Sequence, residues 1–137
     1  MAAVMNSPGA APKSFVAMVV EDDADARRAI AEYLHHRGVL VVEAGNAEEA
    51  KELMKFVRPN LAIVDVMMQG RPEGYDVCRA LKTSMDDSGV YVIMLTGLGE
   101  KTEVEKGQGA GADQYLVKPV RPSMLWEIIT RLGCLIV

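Results

Sequence analysis

Four of the short apolar runs in this chain are followed by charged or polar side chains suited to metal and phosphate chemistry. In chain order these side chains are Glu21 with Asp22, Asp65, Thr96 and Lys118. Carboxylates gathered in one place repel one another, and a divalent cation relieves that repulsion. Oxygen ligands of this kind suit Mg²⁺. A hydroxyl and an ammonium group beside the cation would hold an anion, so the set predicts a site for a transferring phosphoryl group.

Asp65 is the best candidate for the residue that accepts the phosphoryl group. A carboxylate can itself act as the nucleophile and form an aspartyl phosphate. Asp65 ends its strand alone, whereas Glu21 and Asp22 lie together and suit the metal. Taken singly, each polar residue is more simply a helix cap, a turn residue or a solvated charge. Their joint placement after four strands favours the chemical interpretation.

Strand-length apolar runs alternate with amphipathic segments along the chain. The predicted strands cover residues 15–20, 39–42, 61–64, 90–95 and 115–117, and the predicted helices begin near residues 23, 46, 75, 100 and 123. Apolar strands separated by helices predict a parallel sheet covered on both faces. Right-handed crossovers make this a three-layer, doubly wound (βα)5 α/β fold. The carboxyl ends of the strands would then meet at one ligand-binding crevice.

Local signals mark where several helices begin. Asp23 or Asp25 can cap the first helix, and Ser123 can cap the last. Asn46 is followed three residues later by Glu49, the spacing of a capping box. The weakest helical signal covers residues 100–109, which contain two glycines.

Composition indicates one ordinary globular domain. The chain has 137 residues, a formal net charge of −4 and two widely separated cysteines, Cys78 and Cys134. Such isolated cysteines indicate free thiols and a reducing cytoplasm, and the acidic balance argues against direct nucleic-acid binding. Residues 1–14 have no signal-peptide pattern and are expected to be a disordered tail before a domain of residues 15–137. No apolar run approaches the roughly 20 residues of a membrane span.

Four motifs carry a resemblance to a known family. They are Val-Val-Glu-Asp-Asp at 19–23, Val-Asp-Val-Met-Met at 64–68, Leu-Thr-Gly at 95–97 and Gly-Ala-Asp-Gln-Tyr-Leu-Val-Lys-Pro at 111–119. Because these motifs occur in this order, the chain resembles a receiver domain of a bacterial two-component response regulator, of the chemotaxis-regulator type. The resemblance implies a flavodoxin-like sheet with strand order 2-1-3-4-5. It also implies a phosphorylation-controlled switch of a phosphorelay rather than a conventional enzyme.

The resemblance assigns roles to the acidic residues. Asp65 would accept the phosphoryl group from a sensor histidine kinase or a phosphotransfer protein. Asp22 and Asp65 would bind Mg²⁺ directly, together with the backbone carbonyl of Met67. Glu21 would act on the ion through water.

The resemblance also assigns the residues that would hold and sense the phosphoryl group. Thr96 and Lys118 would bind its oxygens, so Asp65 and Lys118 would be the catalytic groups. The bond from Lys118 to Pro119 would be cis. Tyr115 would turn inward when Thr96 is drawn to the phosphoryl group. The surface of the fourth helix, fifth strand and last helix would then change its contacts with an output protein or domain, or with a second copy in a homodimer.

The chain departs from the family pattern beside the acceptor. Gln69 stands where members usually have proline, and the loop from Gln69 to Gly74 is one residue longer. Met67 and Leu98, each two residues beyond a site residue, occupy positions that influence attack by water on the phosphoryl group. Both are apolar, so a long-lived phosphorylated state is expected.

Three other functions remain as alternatives. A flavodoxin-like cofactor binder needs a phosphate-cradling loop after the first strand, where this chain has the repelling sequence Glu-Asp-Asp-Ala-Asp. An aspartyl-phosphate hydrolase needs an acid where Met67 stands. A degenerate receiver that binds proteins without being phosphorylated is disfavoured by the complete acid, threonine and lysine set, but the altered loop keeps it open.

Overall fold

The computed structural model describes residues 15–84, 89–97, 99 and 109–136. This part of the chain contains five strands and four helices. In chain order they are β1 Val16–Val20, α1 Ala24–His36, β2 Leu40–Ala44, α2 Ala47–Leu53, β3 Leu61–Asp65, α3 Gly74–Ser84, β4 Tyr91–Thr96, β5 Gln114–Val117 and α4 Pro122–Ile136.

All five strands are parallel and lie in the order β2-β1-β3-β4-β5, which confirms the predicted α/β topology. The order reverses at β1, which pairs with β2 on one side and with β3 on the other. The crevice at such a switch point, outside the carboxyl ends of the strands, is where open α/β sheets bind ligands. The carboxyl ends of β1 and β3 therefore frame the predicted site.

Two apolar clusters cover the two faces of the sheet. Side chains of a strand point alternately to opposite faces, so in β3 Ala62 and Val64 enter one cluster while Leu61 and Ile63 enter the other. The first cluster packs under α2 and α3, and the second packs under α1 and α4. Burial on both faces explains why the central strands are apolar throughout.

Side-chain caps define the first two helices, as the sequence predicts. Asp23 caps α1, and its Oδ1 accepts hydrogen bonds from the N–H groups of Asp25 at 2.9 Å and Ala26 at 3.2 Å. Asn46 Oδ1 accepts the N–H of Glu49 at 2.8 Å. In return, Glu49 Oε1 accepts the N–H of Gly45, one residue before the cap, at 2.7 Å. The capping box is confirmed with this shift of one residue.

The predicted cap of the last helix is wrong by two positions. Helix α4 begins at Pro122, so Ser123 already lies inside its first turn. Proline suits the first helical position because its fixed φ is helical and its missing N–H would have no partner there. The predictions for the tail 1–14 and for Leu98 concern residues outside the described set. So does the prediction of a helix over 100–109, apart from Gly109.

Asp113 joins α3 to the sheet edge at the start of β5. Its Oδ2 accepts the N–H of buried Val92 at 2.8 Å and a hydrogen bond from Lys82 Nζ at 2.6 Å. The same Lys82 ammonium donates to the carbonyl of Val90 at 2.8 Å. One carboxylate thus satisfies a backbone donor of β4 and holds the lysine of α3 in place.

We expect Asp113→Ala to lower the free energy of unfolding by about 2 kcal/mol, because the buried N–H of Val92 loses its charged acceptor. Chemical denaturation measures the change. Asp76→Ala is the matched control, since it removes a carboxylate paired with Arg79 at 3.4 Å on the exposed face of α3. That change should stay below about 0.5 kcal/mol. Equal losses in the two variants would contradict the assigned role of Asp113.

Candidate functional site

The carboxyl-end edge of the sheet gathers the acidic residues predicted from the sequence. One carboxylate oxygen from each of Glu21, Asp22 and Asp65 lies within 4.8 Å of the others, an arrangement that could hold a metal ion. Glu21 and Asp65 are buried, 5% and 2% exposed, whereas Asp22 is exposed. Two of the three acids are therefore shielded from water, and the third lies at the surface.

The two neighbouring acids after β1 are shifted in opposite directions. Burial, followed by the proximity of the Asp65 carboxylate, raises the pKa of Glu21 to about 8, although the N–H of Asp23 donates to it at 3.0 Å. The N–H of Gln69 donates to Asp22 Oδ2 at 2.8 Å and holds the pKa of Asp22 below its usual value. A cation in the cluster would favour the ionised form of Glu21.

Asp65 is the last residue of β3 and is paired on one side only. Its Oδ2 accepts a hydrogen bond from Lys118 Nζ at 2.8 Å. Its Oδ1 is buried and has no hydrogen-bond partner among the described residues. A buried carboxylate oxygen without a donor is costly, and a hard cation is a suitable partner for it. The acidic triad therefore fits Mg²⁺.

Thr96 and Lys118 reach the same edge from β4 and the end of β5. Thr96 is the buried last residue of β4, and its carbonyl accepts the N–H of Lys118 at 2.7 Å. The Lys118–Pro119 peptide bond is cis, as the sequence resemblance implies. The lysine side chain is 40% exposed, and its ammonium contacts Asp65 at 2.8 Å.

Tyr115 lies on β5 beneath this edge. It pairs with Met94 of β4, and both pack in the cluster under α2 and α3, where the tyrosine hydroxyl oxygen is buried. Thr96 is two residues beyond Met94, so strand alternation directs it to the same face of the sheet. Tyr115 thus faces inward on the side of the sheet that Thr96 shares.

Arg27 braces the loop that carries the first two acids. Its Nη1 donates to the backbone carbonyl of Glu21 at 2.9 Å, and its Nε donates to Glu43 Oε1 at 3.1 Å. The guanidinium group therefore ties α1 and β2 to the end of β1. Sequence reasoning missed this contact, because Glu43 lies 16 residues away and no local pattern indicates the pairing.

An apolar cavity of about 560 Å³ opens beside the acids. Its lining includes the charged residues Glu21 and Lys118, and its apolar wall includes Ile30, Leu95 and Val120. The wall joins α1 to the loop before α4.

A family model described as the response regulator receiver domain matches residues 17–130. The chain belongs to that family. Its membership accounts for the parallel five-stranded fold and for the acidic pocket, which is consistent with phosphoacceptor signalling. A receiver domain is a phosphoacceptor signalling module rather than a classical enzyme, and receiver domains partner with histidine kinases.

Similar proteins include transcriptional regulators. The probable transcriptional regulator ycf27 of Porphyra purpurea is 41% identical over 108 residues, which cover 79% of this chain and 43% of that protein. The DNA-binding response regulator MtrA of Mycolicibacterium paratuberculosis is 35% identical, with 79% of this chain and 46% of that protein covered. The matched part of this receiver chain thus covers less than half the length of these curated relatives.

Solved receiver structures superpose closely. The signal receiver domain of a signal transduction histidine kinase from Syntrophus aciditrophicus matches with a TM-score of 0.75 and 30% identity, covering 88% of this chain and 91% of that one. Among the described helices of the present receiver, none is both long and apolar enough to cross a membrane.

Gly74, the first residue of α3, packs directly behind the acceptor. A Cβ atom built at Gly74 would lie 2.2 Å from the carbonyl oxygen of Asp65 and 2.8 Å from the Cα of Val66. Both atoms belong to the backbone and cannot move aside without shifting the end of β3. Only glycine therefore permits this approach of α3 to the acceptor strand.

We expect Gly74→Ala to lower the free energy of unfolding by about 3 kcal/mol through overpacking against backbone atoms. Gly109→Ala is the matched control, because a Cβ there meets nothing within 4 Å. That variant should change stability by no more than about 0.5 kcal/mol. Urea denaturation of both variants provides the comparison, and a Gly74→Ala protein as stable as the Gly109→Ala protein would refute the close approach.

Proposed function

We propose that this receiver domain is a phosphorylation-controlled switch of a two-component phosphorelay, with Asp65 as the phosphoacceptor. The observation that carries the proposal is the state of the Asp65 carboxylate. It is buried between two other acids, one oxygen accepts from Lys118 at 2.8 Å, and the other oxygen has no partner among the described residues. Burial without full pairing suits a group that exchanges partners during a reaction.

The transfer step assigns a role to each side chain. An oxygen of Asp65 attacks the phosphorus of a phosphohistidine, or of a small phosphodonor, and the bond from phosphorus to the donor breaks, with its electron pair leaving on the donor. Lys118 and Thr96 hold the oxygens of the transferring group, whose charge must be stabilised at the moment of transfer. The Lys118 ammonium already donates a hydrogen bond to the acceptor Asp65 at 2.8 Å.

Mg²⁺, when bound, would neutralise charge on the transferring phosphoryl group. We assign its direct protein ligands to Asp22, Asp65 and the backbone carbonyl of Met67, and we assign Glu21 to a water-mediated contact. The proximity of the three carboxylates and the open oxygen of Asp65 support this assignment. Arg27 holds the Glu21 backbone, which keeps the first acid in place.

The signal would leave the site through β4 and β5. Movement of Thr96 toward a phosphoryl group would change the space beneath it, where Tyr115 packs. We propose that Tyr115 transmits this change to the surface of β5 and α4, where Val117 is 54% exposed. That surface would contact an output protein or domain or a second copy of the chain, and the switch would operate in the cytoplasm without direct nucleic-acid binding by this chain.

The direct test is incubation with Mg²⁺ and acetyl phosphate, followed by intact mass measurement. We expect the gain of one phosphoryl group, its absence in Asp65→Asn, and its loss when a chelator removes Mg²⁺. Asp25→Asn, which changes an exposed acid of α1 outside the cluster, should be phosphorylated like the unaltered chain. An unchanged mass under all Mg²⁺ concentrations would contradict the proposal and favour a receiver that binds partners without phosphorylation.

The side chain of Met67 should slow loss of the phosphoryl group. It is half-buried beside the acceptor strand and offers no polar group to orient an attacking water. We expect Met67→Asn to release phosphate several-fold faster, because the amide can hydrogen-bond the water. Met67→Leu keeps an apolar side chain and should leave the rate unchanged. Equal rates for the Asn and Leu variants would contradict this role.

A further inference from the structure

The loop after β3 forms a small hairpin whose turn consists of Gln69 and Gly70. Met68 donates its N–H to the carbonyl of Arg71 at 2.8 Å, and Arg71 donates back to the carbonyl of Met68 at 3.0 Å. The two central residues have φ values of 55° and 75°. Left-handed backbone at both positions is the geometry of a type I′ turn. Glycine adopts it freely, but glutamine does so only at a cost in strain.

The strained residue makes a long-range contact with the acidic cluster. The N–H of Gln69 donates to Asp22 Oδ2 at 2.8 Å across 47 residues of sequence. A proline at this position could not make the contact, since it has no N–H and its ring fixes φ near −65°. The Gln69 N–H therefore joins the β3–α3 loop to an acid of the site.

Asp22 has a particular need for this contact. It is the exposed member of the triad, whereas Glu21 and Asp65 are held by burial. An exposed aspartate samples several rotamers, and each orientation that faces away from the cluster weakens a metal site. A donor fixed in the backbone of a hairpin, bonded to one carboxylate oxygen, restricts that rotation.

We propose that the Gln69 N–H is a positioning group, which holds the Asp22 carboxylate in the orientation that binds a divalent cation at the acidic cluster. The inference rests on the metal site of the proposed function and concerns cation affinity rather than phosphoryl transfer. Coupling of this kind is reciprocal. Binding of the cation should therefore make the Gln69–Gly70 turn more rigid, and loosening the turn should weaken binding of the cation.

The first measurement follows the Gln69 amide by ¹⁵N NMR and hydrogen exchange in the metal-free protein. We expect this amide to be protected from exchange, and we expect Asp22→Ala to remove the protection and shift the amide proton upfield. Asp25→Ala, which removes a nearby exposed carboxylate that accepts no bond from Gln69, should leave the resonance in place. A Gln69 amide that is indifferent to Asp22→Ala would overturn the proposal.

The second measurement is the Mg²⁺ dissociation constant, obtained by titration without any phosphodonor. Gln69→Gly keeps the N–H and relieves the positive φ, so we expect an affinity within about twofold of the unaltered chain. Gln69→Pro removes the donor and should weaken binding about tenfold, as loss of a group that orients a metal ligand does. Gly70→Ala strains the same turn but keeps the Gln69 N–H, and it should bind Mg²⁺ more tightly than Gln69→Pro.

These outcomes separate the positioning role from the proposed function. Equal Mg²⁺ affinity for Gln69→Pro and Gln69→Gly would refute the positioning role even if Asp65 is phosphorylated normally. Equal weakening in Gly70→Ala and Gln69→Pro would also refute it, because turn integrity alone would then explain the effect. Failure of Asp65 phosphorylation, with the expected amide and Mg²⁺ results, would count against the phosphorelay function and leave the positioning role supported.

Discussion

Three carboxylates share one crevice at the carboxyl ends of β1 and β3, and their mutual repulsion is the constraint on which the surrounding structure depends. Each acid is compensated differently. Asp65 accepts from the Lys118 ammonium, Asp22 accepts from the Gln69 N–H, and buried Glu21 has a pKa raised to about 8. These partial compensations stabilise the cluster without saturating it, since one oxygen of Asp65 has no partner among the described residues. The cluster could therefore hold a metal ion.

The rigid part of the fold places the acids, and the loops complete the site. Strands β1 and β3 are paired with each other and buried on both faces, so the positions of Glu21 and Asp65 are set by the core. The close approach of Gly74 to the Asp65 carbonyl fixes the start of α3 against the acceptor strand. Arg27 braces the Glu21 carbonyl from the opposite side. Substitution of Gly74 or Arg27 should therefore disturb the acidic cluster without removing any of its three carboxylates.

Local patterns in the sequence were sufficient for the parallel sheet and for the acidic triad, whereas the order of the strands came from the family resemblance. Apolar strands between helices predict the parallel sheet, and a parallel sheet brings the residues after its strands together, so Glu21, Asp22 and Asp65 could be placed from sequence alone. Asp23 and Asn46 could be recognised as caps for the same reason, since a cap acts within four residues. The cap of α4 was missed by two residues because proline and serine are both favoured at a helix start.

Contacts that depend on backbone geometry could not be predicted. The Gln69 N–H reaches Asp22 only because a two-residue turn forms with positive φ at both positions, and the printed residues do not reveal that shape. The pairing of Arg27 with Glu43 likewise depends on how α1 packs beside β2, which no local pattern reveals. The sequence indicated that the loop after Met68 was unusual, and the structure shows that this loop contacts Asp22, one of the three clustered acids.

Locating the phosphoryl group in the sequence tests directly whether Asp65 is the acceptor. Borohydride reduces an aspartyl phosphate to homoserine, and peptide mass spectrometry then identifies the altered residue after treatment with Mg²⁺ and a phosphodonor. We expect homoserine at residue 65 and unaltered aspartates at residues 22 and 23. Reduction at either of those positions, or an unreduced Asp65 in a protein that carries phosphate, would contradict it.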